Sequence, residues 1–160
     1  MLYPQLLNGD FARLPRALRE FHSTPGGGRA AGTVVVRRDN DLLAQLAGFP
    51  PSGENIPIEL EVVASEDTEV WTRRFGDVVL RTLQRREGDL LLETFGPVRM
   101  FFRLRADESG MRFECLRARC WAMPLPLGVQ ATARGGEFSW EVDVTIPHIG
   151  SYQGVMAPVR

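Results

Sequence analysis

Lysine is missing from this chain, in which all 19 basic residues are arginine. Without a side-chain amine the chain cannot form a Schiff base with a carbonyl substrate, anchor pyridoxal phosphate or supply the lysine of a phosphate-binding loop. Codon bias in a GC-rich genome is the simplest explanation of this composition. Whatever the cause, the lack of lysine excludes the classes of enzyme that depend on its amine.

Cysteine and histidine are scarce, with two residues of each. Cys115 and Cys120 lie in one predicted strand, which places them about 16 Å apart on opposite faces, too far for a disulfide. Reduced thiols are typical of a cytoplasmic protein. His22 and His148 alone, without a Cys-x-x-Cys pair, do not supply the ligands of a structural zinc site. We expect neither a metal nor a cofactor.

Long apolar runs are also missing, since none approaches the roughly 20 residues that cross a bilayer as a helix. The first residues, MLYPQLLNGDFARLP, show neither the basic nor the apolar region of a signal peptide. We therefore expect a cytoplasmic protein without a membrane span. The net charge is -1, and arginine alternates with aspartate and glutamate, so the sequence gives no sign of nucleic-acid binding.

The chain does contain a series of short segments, from Ile56 to Met156, in which apolar and polar residues alternate. This period-two pattern is typical of antiparallel β-structure with one packed face and one face in water. Turn-forming residues separate the segments at 65–68, 75–77, 86–89, 95–97, 107–110 and 134–136. The clearest segment, EFSWEVDVTI, places five apolar side chains on one face: Phe138, Trp140, Val142, Val144 and Ile146.

The first part of the chain favours helices instead. Leu14, Leu18 and Phe21 recur at helical spacing, and two prolines suit the first turn of a helix. Residues 1–24 are therefore predicted to form helical pieces that lie on the core. The run TPGGG at 24–28 precedes a strand rather than a helix with a lysine, so it is predicted to be a flexible connector and not a phosphate loop.

A further short helix is predicted near 40–47, with Asp39 or Asn40 as its N-terminal cap and Gly48 at its end. Its apolar residues share one face: Leu42, Leu43, Leu46 and Ala47. The segment AMPLPLGVQ at 122–130 contains two prolines, which cannot join the ladder of a central strand. It is predicted to be a crossing segment or an edge.

About nine to ten strands follow from this pattern, a number at which an antiparallel sheet tends to curl or close. The chain is therefore predicted to be a single domain, 1–160, of the α+β class and mainly β. A helical segment, 1–24, would plug or cover a β-rich body, 29–157, that forms a strongly bent antiparallel sheet or a β-barrel. Such a fold encloses a cavity only where side chains do not fill its interior.

Six segments that run nearly end to end are YPQLLNGDFARLPRALREFH, AGFPPSGENIPIELEV, VWTRRFGDVVL, ETFGPVRMFFRL, MPLPLG and EFSWEVDVTIPHIGSYQGVM. In this order they resemble a bacterial family known as domain of unknown function 4166. The resemblance implies a domain that occurs alone and also joined to Rossmann-type oxidoreductase domains similar to saccharopine dehydrogenase. It suggests an oxidoreductase partner, and it implies no catalytic residues.

The motif WTRRFG is the most distinctive local pattern. Trp71, Arg73 and Phe75 share one side of a predicted strand, so Arg73 could stack between aromatic rings or hold a carboxylate at the mouth of a cavity. Alternatively, Arg73 is an ordinary sheet residue that faces water or forms a salt bridge. Arg74, on the other side of the strand, is a candidate for the same binding role with no stronger support. Six large side chains are candidates for binding a ligand: Trp71, Arg73, Phe75, Phe102, Trp140 and Tyr152.

Catalytic patterns are weak. His148 is close to Tyr152 in sequence and could act in acid–base chemistry, but no nucleophile motif accompanies it. His22 is predicted to offset the negative end of its helix. Two carboxylate pairs, each about 7 Å apart along a strand, have a spacing that a glycosidase uses and that any solvent-facing strand also shows: Glu59 with Glu61, and Glu141 with Asp143.

The leading functional hypothesis is a non-enzymatic domain that binds an apolar or amphipathic small molecule in a sheet-lined pocket, as an accessory to an oxidoreductase. It rests on the many large inward side chains and on the lack of a catalytic set. The alternative is a protein–protein interaction module, including a homodimer. A third hypothesis is an enzyme that uses Arg73, His148 or Tyr152.

Overall fold

The alternating segments form eleven antiparallel strands in the computed structural model, which describes residues 1–159. Apolar residues at every second position give each strand one side that packs on its neighbours and one side that faces water. The strands are β1 (Arg29–Arg38), β2 (Gly53–Ala64), β3 (Thr68–Phe75), β4 (Val78–Glu87), β5 (Leu90–Phe95), β6 (Val98–Asp107), β7 (Gly110–Cys120), β8 (Met123–Leu125), β9 (Gln130–Gly135), β10 (Trp140–Ile146) and β11 (Gly150–Pro158).

The sheet closes on itself as a barrel. Neighbouring strands follow the order β6-β5-β4-β3-β2-β1-β11-β10-β9-β7-β8, and a further pairing of β6 with β7 closes a ring of ten strands. β7 pairs with β9 from Gly110 to Glu114 and with β8 from Ala118 to Cys120, so β8 is an extra strand outside the ring. The predicted β-barrel is confirmed, and its closure leaves no long unpaired edge.

Three helices precede β1: α1 (Leu2–Leu7), a 3₁₀ helix (Asn8–Arg13) and α2 (Arg16–Ser23). They lie across one end of the barrel, which we call the plugged end. The Ala17 amide donates to the Gly136 carbonyl at 3.2 Å, in the turn after β9. Arg13 Nη2 lies 2.9 Å from Glu108 Oε1, in the turn between β6 and β7. The predicted position of the helices over the barrel is therefore confirmed.

The apolar face of this N-terminal segment packs inside the plugged end. Leu14, Leu18 and Phe21 are buried, as their spacing predicts. The Phe21 ring lies with its centroid 5.1 Å from that of Trp140 on β10. Each large side chain buried in this way contributes about 1.5–3 kcal/mol to stability. The helices are thus held by apolar packing inside the barrel and by ion pairs at its edge.

The remaining helix, α3 (Asp41–Leu46), lies between β1 and β2 and begins as predicted, with the Asn40 side chain accepting a hydrogen bond from the Leu43 amide at 3.0 Å. Its packing differs from that of an amphipathic helix on a core. Leu42, Leu43 and Leu46 are exposed, and Ala44 is the residue that is buried. The six-residue helix is too short to hold its own orientation, which instead follows from the segment after it.

That segment is fixed by one aromatic ring and one arginine. Phe49 is buried in the end of the barrel opposite the plugged end, which we call the open end. The Arg38 guanidinium donates to the carbonyls of Phe49 at 2.6 Å and Pro50 at 3.0 Å. Because these contacts fix the chain just beyond α3, the leucines of the helix face water.

Two local predictions were wrong. Phe138 was predicted to share the inner face of Trp140, but β10 begins only at Trp140, and Phe138 lies exposed in the turn before it. The glycine-rich connector at 24–28 is held in place rather than flexible, because the carbonyls of Gly26 and Gly28 accept hydrogen bonds from amides at the end of β2 at 2.9 and 2.8 Å. In both places backbone pairing decides the structure.

Two glycines allow β1 and β11 to approach closely. A Cβ atom on Gly32 would lie 1.9 Å from the Val155 carbonyl oxygen, and one on Gly154 would lie 2.0 Å from the Thr33 carbonyl oxygen. We predict that Gly154→Ala lowers the free energy of unfolding by about 1–3 kcal/mol, because the two strands must separate to admit the methyl group. Urea denaturation measures this loss.

The matched control is Gly9→Ala. Nothing lies within 4 Å of the position that its Cβ atom would occupy. This variant is expected to be as stable as the unmodified protein or slightly more stable, since alanine restricts the unfolded chain. Equal stability of the Gly154 variant and the control would contradict the proposed role of close approach between β1 and β11.

Candidate functional site

Side chains do not fill the barrel completely, and a cavity of about 410 Å³ remains inside it. The cavity begins below the helices of the plugged end, at Leu18 and Phe21, and continues toward the open end. There it is lined by Leu46 of α3, which is exposed, so the cavity reaches the surface at this end. Its volume is in the range of known small-molecule sites.

The cavity wall is mostly apolar, because the inward positions of most strands are occupied by aromatic and aliphatic residues. Trp71 and Trp140 lie toward the plugged end, and Phe102 lies on β6. Near the open end the wall includes Leu80 on β4 and Ile149 in the turn before β11. An apolar molecule inside the barrel would thus contact apolar atoms along most of its length.

Two groups of polar side chains interrupt this wall, and the first lies around Arg73. We call it the Arg73 cluster; it contains Arg73 of β3, Thr82 of β4, Glu93 of β5 and Tyr152 of β11. Arg73 Nη1 donates to Thr82 Oγ1 at 3.0 Å, and Arg73 Nη2 lies 3.3 Å from Glu93 Oε1. The guanidinium carbon lies 5.1 Å from the ring centroid of Trp71. Only 17% of the Arg73 side chain and 11% of the Glu93 side chain are exposed.

The charges of the Arg73 cluster balance one another. Burial disfavours the guanidinium charge, but Glu93 and the two nearby tyrosines more than offset this effect, so the pKa of Arg73 is raised. Burial also raises the pKa of Tyr152, against the opposing effects of the charge of Arg73 and its hydrogen bond. The cluster therefore combines the Arg73–Glu93 ion pair, whose charges offset each other, with a phenol that stays protonated at neutral pH.

A second polar group lies deeper, where α1 enters the plugged end. The Tyr3 hydroxyl donates to Gln84 Oε1 at 2.9 Å, and Trp71 Nε1 donates to Glu69 Oε2 at 3.0 Å. The ring centroids of Tyr3 and His22 are 3.9 Å apart. Burial lowers the pKa of His22 to about 3. The prediction that His22 offsets the helix end was therefore wrong, since this buried imidazole is neutral.

The structure brings most of the predicted binding residues together. Trp71, Arg73, Phe102, Trp140 and Tyr152 all line the cavity. Phe75 is also buried but lies behind the wall, with its ring centroid 5.0 Å from that of Tyr152 in an edge-to-face contact. Arg73 thus combines both interpretations of its motif, since it lies beside an aromatic ring inside a cavity and also forms a salt bridge.

Sequence reasoning missed several residues of the cavity: Tyr3, His22, Thr82, Gln84 and Glu93. A signal for two of them was present on β4. Thr82 and Gln84 are buried there, whereas Leu83 between them is partly exposed, so the alternation in this strand is inverted. Polar residues at the inward-facing positions of a strand indicate a polar interior or a binding site.

The other candidates lie outside the cavity. Arg74 is exposed on the outer face of β3. Glu61 pairs with Arg29 across the outside of the sheet, at 2.7 Å, and Glu59 is exposed beside it. His148 is exposed in the turn between β10 and β11. Glu141 and Asp143 are likewise exposed on β10, as the solvent-facing interpretation of that strand predicts.

Two further observations concern residues 1–159. Within this range no group of three histidine, cysteine or acidic side chains has the arrangement of a metal-ion site. No helix in the same range has the length and apolar composition needed to cross a membrane. Cys115 and Cys120 are both free thiols.

The fold and its interior define the class of the protein as a ten-stranded antiparallel β-barrel that is plugged by helices at one end and contains a largely apolar cavity. The chain belongs to the family described as domain of unknown function DUF4166, whose model matches residues 14–156. This match includes α2 and nearly all of the barrel, but not Tyr3. No curated protein and no solved structure matches the chain.

Burial of His22 predicts that acid destabilises the protein. An imidazole titrates near 6.5 when unfolded and at about 3 here, so the unfolded state binds more protons between these values and stability falls as pH falls below 6.5. From pH 7 to 4.5 the loss due to His22 is about 2–3 kcal/mol. Urea denaturation at the two pH values measures it.

The variant His22→Phe isolates this effect. Burial raises the pKa of Glu69, and that shift changes stability in the opposite direction, since stability is lost as pH rises. The variant keeps Glu69 and lacks the imidazole, so its stability is expected to fall less on acidification. His148→Asn is the control, because the position is exposed and asparagine tolerates its left-handed φ of 66°, and its stability is expected to change with pH like that of the unmodified protein. Parallel pH profiles for all three proteins would show that His22 is not the acid-sensitive group.

The Arg73–Glu93 pair generates a further prediction. Removing one partner of a buried ion pair leaves an uncompensated charge and typically costs roughly 3–5 kcal/mol. Glu93→Gln is therefore expected to be strongly destabilised, and the double variant Arg73→Met with Glu93→Gln is expected to recover much of the loss. The control Glu61→Gln removes an exposed pair and is expected to cost about 1 kcal/mol or less. Additive effects at positions 73 and 93 in a double-mutant cycle would contradict the pairing.

Proposed function

We propose that this domain binds one amphipathic small molecule inside the barrel. The apolar part of the molecule lies along the cavity wall, and an uncharged hydrogen-bonding group at one end contacts the Arg73 cluster. The observation that carries this proposal is a cavity of about 410 Å³ whose mostly apolar wall includes the compact Arg73 cluster. Small-molecule sites generally combine these features, with polar groups fixing the orientation of the ligand.

The apolar wall favours an apolar ligand for a packing reason. Protein interiors are normally close-packed, and side chains that border a gap lose contacts on one side. Water gains little in such a space, because it needs two or more polar partners. An apolar molecule in the cavity would restore the missing contacts of side chains such as Phe102 and Trp140 without removing any hydrogen bond.

The charge balance of the Arg73 cluster selects the polar end of the ligand. A ligand carboxylate would approach Arg73 but also Glu93, and a ligand amine would face the reverse problem. A hydroxyl, carbonyl or amide can accept a hydrogen bond from the guanidinium or from the Tyr152 phenol without adding a charge to a buried site. We therefore infer that uncharged amphipathic molecules bind more tightly than acids or amines of the same chain length.

The other hypotheses stay predictions. The oxidoreductase partner rests on the family resemblance, and the homodimer has no particular contact in its favour. An enzyme would use Arg73 and Tyr152, the two members of its predicted set that line the cavity. None of the three accounts for the cavity and its polar cluster together, whereas ligand binding does.

Calorimetric titration with four ligands of equal chain length tests the proposal: a fatty alcohol, its methyl ester, the fatty acid and the alkylamine. The alcohol and ester are expected to bind at least roughly tenfold more tightly than the acid and amine, a difference of about 1.4 kcal/mol. Native mass spectrometry of the purified protein is expected to show a retained small molecule.

Met100→Trp fills the cavity and is expected to abolish binding of all four molecules, because Met100 lines the cavity from β6. Its matched control is Leu83→Trp, which places the same ring on the partly exposed outer side of β4 and is expected to leave binding unchanged. Absence of binding by every ligand to the unmodified protein, or equal binding by both tryptophan variants, would refute the proposal. A preference for the acid would instead refute the inference about charge.

A further inference from the structure

We propose that the open end of the barrel docks on an anionic phospholipid surface. Apolar side chains around the mouth of the cavity would insert among the lipid headgroups, and arginines of β6 and β7 beside them would face the anionic groups. This proposal goes beyond ligand binding, and it rests on the exposed surface rather than on the contents of the cavity.

The open end has an unusual concentration of exposed apolar side chains. Four of the five most exposed large apolar residues lie there: Leu46 (77%), Trp121 (75%), Leu42 (68%) and Met123 (64%). We call these four residues the mouth rim. They come from α3, from the turn after β7 and from the first residue of β8, and Leu46 also lines the cavity. Single exposed apolar residues are ordinary on protein surfaces, whereas a group around a cavity mouth indicates an interaction site.

The backbone holds Trp121 outward. This residue has a φ of 51°, in the left-handed region that bulky side chains rarely adopt. Its amide donates to the Pro97 carbonyl at 3.0 Å, which joins the turn after β7 to the turn before β6. Pro97 lines the cavity, so the tryptophan is fixed at the edge of the mouth. Tryptophan is enriched at membrane interfaces, where its apolar ring and its N–H group both find partners.

The outer face of β6 and β7 is rich in arginine, although the exposed Glu114 lies opposite Arg103. Arg99 lies directly opposite Arg119, and Arg105 lies directly opposite Arg112. Like charges in opposing positions destabilise a strand pair. Within residues 1–159 none of these four arginines has an ion-pair partner. Pairing of β6 with β7 therefore brings arginines that are apart in the sequence onto one face of the barrel.

The basic face and the mouth rim adjoin each other. Arg99 and Arg119 are at the open end of their strands, and Trp121 is only two residues beyond Arg119. An anionic surface would supply the counter-charge that the two arginines lack while the rim enters the interface. Membrane-surface binding generally combines these two contributions, buried apolar area and attraction to anionic lipids.

Two other kinds of partner fit the open end less well than a lipid surface. In a symmetric dimer that met at the open end, the same arginines of both copies would approach each other. A nucleic acid would contact the arginines but would leave the leucines and Met123 of the rim against water. A lipid surface satisfies both features, and it also lets an apolar ligand pass between the bilayer and the cavity without crossing water.

Co-sedimentation of the full chain with vesicles tests the proposal. The vesicles consist of phosphatidylcholine alone or with about one-third phosphatidylserine, at about 0.1 M salt. Binding is expected to be at least roughly tenfold stronger to the anionic vesicles and to weaken in about 0.5 M salt. Leu46→Ser with Trp121→Ser, and separately Arg99→Gln with Arg119→Gln, are each expected to lower the affinity by roughly tenfold or more.

Matched controls use residues away from the open end. Phe138→Ser removes an equally exposed apolar side chain (71%) from the plugged end, and Arg81→Gln with Arg85→Gln removes two charges from the outside of β4. Both controls are expected to bind vesicles like the unmodified protein. Circular dichroism establishes that every variant is folded.

Three outcomes would overturn the docking proposal. The protein does not bind either type of vesicle, or the rim and arginine variants bind as well as their controls. In the third outcome, light scattering shows a dimer that the rim substitutions dissociate, which would assign the rim to a second copy of the chain. The cavity-filling variant Met100→Trp separates this proposal from ligand binding, because it is expected to lose ligand and still bind vesicles.

Discussion

The width of a ten-stranded ring is the constraint on which the rest of this structure depends. A barrel of about eight strands is just wide enough for its own inward side chains to fill. With ten strands the interior is wider, so other atoms must fill it or a cavity remains. Here the N-terminal helices bring Tyr3, Leu18 and Phe21 into one end, and beyond them the cavity remains.

The wide interior also explains how polar residues are accommodated. Tyr3 reaches Gln84, and Arg73 reaches Thr82 and Glu93, so each long polar side chain finds a partner across or along the wall. Replacing a buried ion pair with apolar residues of the same volume is often neutral or stabilising, so such a pair is weak evidence for stability. Its place on the wall of a mostly apolar cavity agrees better with the ligand binding that we propose.

Much of the fold could be predicted from the sequence, because period-two alternation and turn residues are local signals. Hairpin pairing of consecutive strands followed from them, and so did the inward side of Trp71, Arg73 and Trp140. The contribution of Tyr3 could not be predicted, since its partner Gln84 is 81 positions away along the chain. Glu93 was equally hidden, because an acidic residue in a strand is normally assigned to the outside.

The orientation of the α3 leucines and the arginine-rich face of β6 and β7 could not be predicted, for a related reason. The leucines of α3 have helical spacing, but Phe49 and Arg38 determine which way they face, and these contacts depend on tertiary structure. The arginines of β6 and β7 alternate with other residues in each strand and become a basic face only when the two strands pair in register. Patterns read along one segment cannot show either feature.

The two ends of the barrel expose different kinds of side chain. At the plugged end, ion pairs such as Arg13–Glu108 and Arg16–Glu137 join the helices to the turns, so charged groups there are already paired within the chain. At the open end the leucines of α3 and Trp121 are instead exposed to water, and the cavity reaches the surface among them. Under the two proposals, a ligand would therefore enter at the open end, where apolar and basic groups are exposed, and a surface that delivers it would contact both kinds of group.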